Sequence, residues 1–148
     1  MKKQAYTVIA MVVLIGSMTV AAQAQGSGRT HLRVNIPFQF NVGNKLMPAG
    51  EYDVRSVSDD SSNVVLKIEN RDGEAKAMSM MRTIYGKAQN SAKLIFNRYG
   101  SQYFFAQLWV DGDGDGLQAP KCRAERAAQR EFAALKVAIE TVAATARR

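Results

Sequence analysis

Residues 94–110 read LIFNRYGSQYFFAQLWV, and the reading of this stretch decides the fold. Leu94, Ile95 and Phe96 approach a turn signal at Tyr99-Gly100-Ser101, and Tyr103 to Val110 leave it. Two apolar, aromatic-rich runs around a glycine turn predict a β-hairpin. Strict alternation along the second arm places Tyr103, Phe105 and Trp109 on one face, with Phe104, Leu108 and Val110 on the other. A strand that is apolar on both sides needs cover on both sides. The rest of the chain must supply a sheet for one face and a separate shield for the other.

Upstream, the pattern is that of further strands. In RVNIPFQFNV (33–42), Val34, Ile36, Phe38, Phe40 and Val42 alternate with polar residues, the mark of a half-buried strand. Pro37 falls on the polar side and lacks a backbone donor, so an edge position or a bulge is expected. Tyr52 and Val54 share one face of 51–57, and Val64, Leu66 and Ile68 share one face of 64–70. Residues 74–86, EAKAMSMMRTIYG, have helical propensities but stand between strands. Ala75 and Ala77 alternate with Glu74 and Lys76, and strand is the reading adopted.

Downstream of Pro120 the composition turns to Ala, Arg, Glu and Lys. Ala128, Phe132, Leu135, Ile139 and Val142 recur at spacings of four, three, four and three, one apolar stripe of an amphipathic helix. Such a helix, lying on the sheet, would be the missing shield. The fold class expected is mainly β: a curved antiparallel sheet, or a small β-barrel or sandwich, of about six strands with one C-terminal amphipathic helix.

The 148 residues suit one domain preceded by a leader. MKK, an apolar run broken at Gly16, and AAQAQ form a signal-peptide pattern with a cut between Ala24 and Gln25. The run falls short of the roughly 20 residues a spanning helix needs. The expected organisation is a signal peptide at 1–24, a flexible lead-in at 25–32, an antiparallel β-domain at 33–118 and a sheet-packed helix at 119–148. The product would be exported to the periplasm or the extracellular space, without a transmembrane segment. Loss of Lys2 and Lys3 takes the formal net charge from +7 to +5. That balance favours anionic surfaces, while export argues against nucleic acid. Cys122 is the single cysteine, so no intrachain disulfide forms, and a buried or partly buried thiol is expected.

Chemistry is sparse. DGDGDG (111–116) matches the first half of an EF-hand loop: Asp111, Asp113, Asp115 and Gly116 stand at positions one, three, five and six. The twelfth position, where a bidentate Glu belongs, is Cys122. These three aspartates are the candidate calcium ligands, with a solvated turn as the rival reading. Met78, Met80 and Met81 suggest thioethers for Cu(I), or simply core packing. His31 is the one histidine, and no nucleophile elbow, H-E-x-x-H or C-x-x-C occurs. The acidic pairs Glu51/Asp53 and Asp59/Asp60 lack a visible cleft. No enzymatic activity and no cofactor beyond that calcium are expected. Lys121, Arg123, Arg126 and Arg130 form a basic helix start, with Arg147 and Arg148 at the far end. They are a contact for acidic lipid or glycan, or else a solvated face mixed with Glu125, Glu131 and Glu140. Phe38, Phe40, Phe105 and Trp109 could line a cavity for a small apolar ligand, or fill a core.

Three stretches together, VNIPFQFNVGNKLMPAGEYDV, LIFNRYGSQYFFAQLWV and KCRAERAAQR, resemble a family of small exported bacterial proteins without assigned function. The shared pattern is PF-F-VG…PAG-Y-V, then RYG-YF…W, then K-S-AER with serine where this chain has Cys122. The resemblance implies an exported β-rich domain with a C-terminal helix and brings no activity with it. Three functions are therefore carried forward: a non-catalytic envelope or extracellular binding or structural module of unknown partner, a carrier of a small apolar ligand, and a weak calcium module.

Overall fold

The computed structural model describes residues 30–58, 64–135 and 140–147. The proposed signal peptide, most of the lead-in and the Asp59/Asp60 pair lie outside them. Ten strands are described: β1 His31–Ile36, β2 Phe40–Val42, β3 Lys45–Met47, β4 Gly50–Ser56, β5 Val64–Asn70, β6 Lys76–Tyr85, β7 Lys93–Tyr99, β8 Gln102–Trp109, β9 Asp115–Gln118 and β10 Glu140–Arg147. One helix, α1 (Arg123–Ala134), lies between β9 and β10.

The strands form one curved sheet in the order β3-β2-β8-β7-β10-β1-β4-β5-β6-β9. All pairs are antiparallel except β2 with β8, which meet in parallel at Asn41 and Phe104. The sheet curls until β6 and β8 face each other across a seam. They do not pair; four-residue β9 stands between them, bonded to Arg82–Tyr85 on one side and Gln107–Trp109 on the other. It is thus a strongly curved sheet rather than a barrel paired along its full height.

Inside the curve the core is aromatic. Phe40 meets Tyr52 at 5.2 Å and Phe96 at 5.3 Å between ring centroids, and Phe96 meets Phe105 at 5.9 Å, all edge to face. Ile36, Met47, Val54, Leu66, Ile68, Leu94 and Leu108 complete it, each fully buried. Pro37 acts as a strand terminator: β1 stops at Ile36, and the predicted continuous strand 33–42 becomes two. Freed from β1's partners, the chain crosses to lie beside β8. Residues 76–85 form a strand as expected.

The hairpin departs from strict alternation. Ile95 pairs with Gln107, but Phe96 pairs with Phe105, so Ala106 is an extra residue in β8. The bulge keeps Phe105 inside, brings Leu108 inside with it, and turns Trp109 outward, reversing the predicted places of Leu108 and Trp109. The bulged carbonyl of Ala106 accepts from the Ala119 amide at 2.8 Å, which anchors the end of β9.

The outer face of the hairpin is covered by α1. Tyr99, Phe104 and Ala128 are buried together, with Cys122 and Phe132 packed against them. The turn itself is cut to receive the helix: Gly100 has φ +60, and a Cβ there would come 2.9 Å from the Phe132 ring. The helix expected over 119–148 is shorter than that. It ends at Ala134, and 140–147 form strand β10, inserted between β7 and β1. Val142 stands opposite Phe96 and Ala144 opposite Leu94, so both join the inner face, while Leu135 of the predicted stripe is 65% exposed. Ile139 lies outside the described residues. Thr141, Val142 and Thr145 are β-branched and alternate correctly for a strand; the interspersed alanines hide this by fitting a helix equally well. The lead-in also ends earlier than expected, because His31 and Leu32 already belong to β1.

Ala144→Asp discriminates strand from helix. An unpaired carboxylate opposite Leu94 is expected to cost about 3 kcal/mol or more. Urea denaturation measures it; an unchanged midpoint contradicts the buried position.

Candidate functional site

Each sequence candidate can now be placed. The DGDGDG segment connects β8 to β9 and is bonded through its backbone. Gly112 takes φ +77, its amide donates to the Gln89 carbonyl at 2.9 Å, and the Gly86 amide donates to the Gly114 carbonyl at 2.8 Å. At Gly114 the chains approach closely, and a Cβ would make a tight 3.3 Å contact with the Gly86 carbonyl oxygen. The loop thereby fastens the β8–β9 connection to the segment following β6. Asp111, Asp113 and Asp115 are all exposed. Among the described residues no group of three His, Cys, Asp or Glu side chains converges as a metal site, these three included.

Trp109 explains two of the neighbouring glycines. A Cβ on Gly86 would come 2.6 Å from the indole and one on Gly116 2.8 Å. The ring occupies the space above both glycines, and its Nε1 donates to Gln107 Oε1 at 2.9 Å. Trp109 is therefore a strut on the outer face, not part of an inner lining. Phe38 stacks on Tyr103 at 4.1 Å, and Phe40 and Phe105 pack on Phe96. The four aromatics proposed as a cavity wall touch other rings or backbone instead.

A recess of about 310 Å3 does open at one end of the curved sheet, where β6, β8 and β9 meet. Val64, Leu108, Val110 and Leu117 give it apolar walls, and Asp113, Asp115 and Tyr85 lie at its border. Tyr85 is 82% exposed. No feature of the sequence singled out this recess, because its residues come from five separate segments.

The polar candidates are engaged elsewhere. Asp53 faces Arg33 at 3.3 Å and His31 at 3.6 Å, and Glu51 faces Arg71 at 3.0 Å. Glu51 and Asp53 thus belong to cross-strand ion pairs on the outer face, where Glu51 also borders a recess of about 460 Å3 with Arg33, Asn35 and Thr145. Met81 is buried, while Met78 and Met80 point outward and are 64% and 62% exposed.

Cys122 is half-buried and caps α1, its Sγ accepting from the Glu125 amide at 3.4 Å. This is the position of serine in S-x-x-E capping boxes. Glu125 is itself 4% exposed, and its Oε1 accepts from Asn97 Nδ2 at 2.8 Å and from the Tyr99 hydroxyl at 3.4 Å. That cluster holds the helix to the hairpin. Burial, followed by the charge of Glu125 and its hydrogen bond, pushes the Tyr99 hydroxyl up to about 12.

No protein-family model, curated protein or solved structure matches this chain.

Two outcomes follow from this geometry. Calcium up to about 1 mM, the weak end of biological calcium sites, should leave the melting temperature unchanged; a saturable rise would restore the metal reading. Because Tyr99 is more readily kept neutral in the folded state than in the unfolded state, its contribution is complete below pH 10 and is lost as pH rises through about 12. Alkaline unfolding followed by circular dichroism should show that slope, and Tyr99→Phe should flatten it.

Proposed function

We propose that the chain is a non-catalytic exported β-domain, a binding or structural module of a cell envelope or the extracellular space. The observation that carries this reading is the filled centre. The Phe40–Tyr52–Phe96–Phe105 ring cluster occupies the space in which a carrier would hold its cargo. Edge-to-face pairs of this kind contribute about 0.5–1.5 kcal/mol each beyond the area they bury, so displacing them for a ligand is unfavourable. The side chains with reactive potential also have structural partners: His31 has Asp53, Cys122 has the Glu125 amide, and Glu125 has Asn97 and Tyr99. Export rests on the leader pattern, and the likeness to small exported bacterial proteins agrees with it. None of the described helices is long and apolar enough to cross a membrane.

The recess between β6, β8 and β9 favours a second reading, a carrier whose small apolar ligand sits at the end of the sheet rather than in its middle. A fluorescent apolar probe such as N-phenylnaphthylamine separates the two. The module reading expects no saturable enhancement at about 10 μM, a concentration that an evolved apolar pocket would register. Stoichiometric binding abolished by Leu117→Trp would establish the carrier. Export is tested separately, by the mass of the protein recovered from its native cell: a mature chain starting at Gln25 is expected, and retained leader in the cytosol would refute it.

A further inference from the structure

The outer face of the sheet has two halves of different character. Over β1, β4 and β5 the charges are matched: Arg33 with Asp53, Arg55 and Lys67 with Glu69, and Arg71 with Glu51 just past β5. Over β3 and β6 the pattern is apolar and cationic. The outward row of β6 runs Lys76, Met78, Met80, Arg82, alternating with buried Ala77 and Met81. β3 adjoins it, for the Lys45 ammonium donates to the Lys76 carbonyl at 2.7 Å. Leu46, next to inward Met47, points away from the core and is 58% exposed. Among the described residues Lys45, Lys76 and Arg82 have no carboxylate at ion-pair distance. Glu69, across from Lys76, is engaged at 2.6 Å by Lys67. The Glu69 carboxyl is held below its usual range by its hydrogen bond from Lys67 first, and the Lys76 charge acts on it from a greater distance.

Three large apolar side chains standing in water between unpaired cations need a partner that offers apolar depth and negative charge together. We propose that the β3–β6 face is a docking surface for an anionic lipid membrane. Met78 and Met80 enter the headgroup layer with Leu46 beside them, and Lys76 and Arg82 meet lipid phosphates. Unbranched thioether side chains adapt to a fluid surface, and this face lies on the convex side of the sheet, where a planar layer can reach it. The formal charge of +5 left after loss of Lys2 and Lys3 adds long-range attraction. The inference rests on the envelope reading for where the lipid is met, but not for the binding itself.

The test is co-sedimentation with vesicles of phosphatidylglycerol and phosphatidylcholine, against phosphatidylcholine alone. It is run on the full chain and repeated on residues 25–148, which contain every described residue. Binding to the anionic vesicles is expected, with a steep loss in high salt. Lys76→Glu with Arg82→Glu should weaken it at least about tenfold, and Met78→Ser with Met80→Ser should weaken it by a similar factor. Arg123→Glu, Arg126→Glu and Arg130→Glu on α1 should leave it within about twofold. All changes are at exposed positions, and circular dichroism checks the fold. No binding by residues 25–148, or loss only with the α1 changes, would overturn the proposal. Charge sensitivity without methionine sensitivity, or equal binding to a soluble acidic polymer, would overturn insertion in favour of plain charge attraction. Retention of the leader in cells would sink the envelope reading while leaving the vesicle result intact.

Discussion

Strand β8 has bulky side chains on both faces, and the rest of the molecule is arranged around that constraint. Phe105 and Leu108 enter the inner core, Phe104 enters the cluster under α1, and Trp109 covers Gly86 and Gly116. The Ala106 bulge makes this apportioning possible. Without it, strict alternation would place Leu108 outside with Phe104 and send Trp109 inward. The same irregularity frees the Ala106 carbonyl for Ala119, so the strand that needs cover also positions the chain that leads to the covering helix.

Much of this was legible, because alternation and turn chemistry are local. The hairpin, the strand over residues 76–85 and the need for an outer shield all follow from side-chain periodicity. What escaped depends on partners distant in sequence. Nothing around Ala106 signals a bulge, since the register is set by β7. The β10 segment reads as helix because alanine suits the 3.6-residue period, and only its place between β7 and β1 selects the extended form. Short β2, β3 and β9 are too brief to show a period, which is why about six strands were expected where ten are described.

The site candidates divide in the same manner. DGDGDG attracted attention through its carboxylates, yet the bonds that fasten it to the segment after β6 run through the backbone at Gly112, Asp113 and Gly114. Cys122, expected to be buried or partly buried, is half-buried and serves as a helix cap, a role visible once Glu125 is counted three residues on. Sulfur is a weak acceptor, so serine at this position would cap α1 better. Strand alternation puts Met78 and Met80 on one face and Met81 on the other, as observed. The exposure of the first two was not foreseen, because a thioether is ordinarily core material and nothing local says which side of a sheet meets water.

The placement of β10 also bears on when the fold can form. It follows α1 in sequence, yet it stands in the interior of the strand order with β7 on one side and β1 on the other. Until it arrives, β1 and β7 each present an open edge, and only four-residue β9 ladders one half of the sheet to the other. Pairing residues 31–36 with residues near 147 closes a loop spanning most of the described chain, an entropic cost met only when the late segment is present. A chain organised in this way cannot complete its sheet until its last strand emerges. That order of events is compatible with the proposed export, since a translocating polypeptide must not fold before it crosses. An early-folding hairpin core would oppose passage; a sheet completed by its latest strand does not.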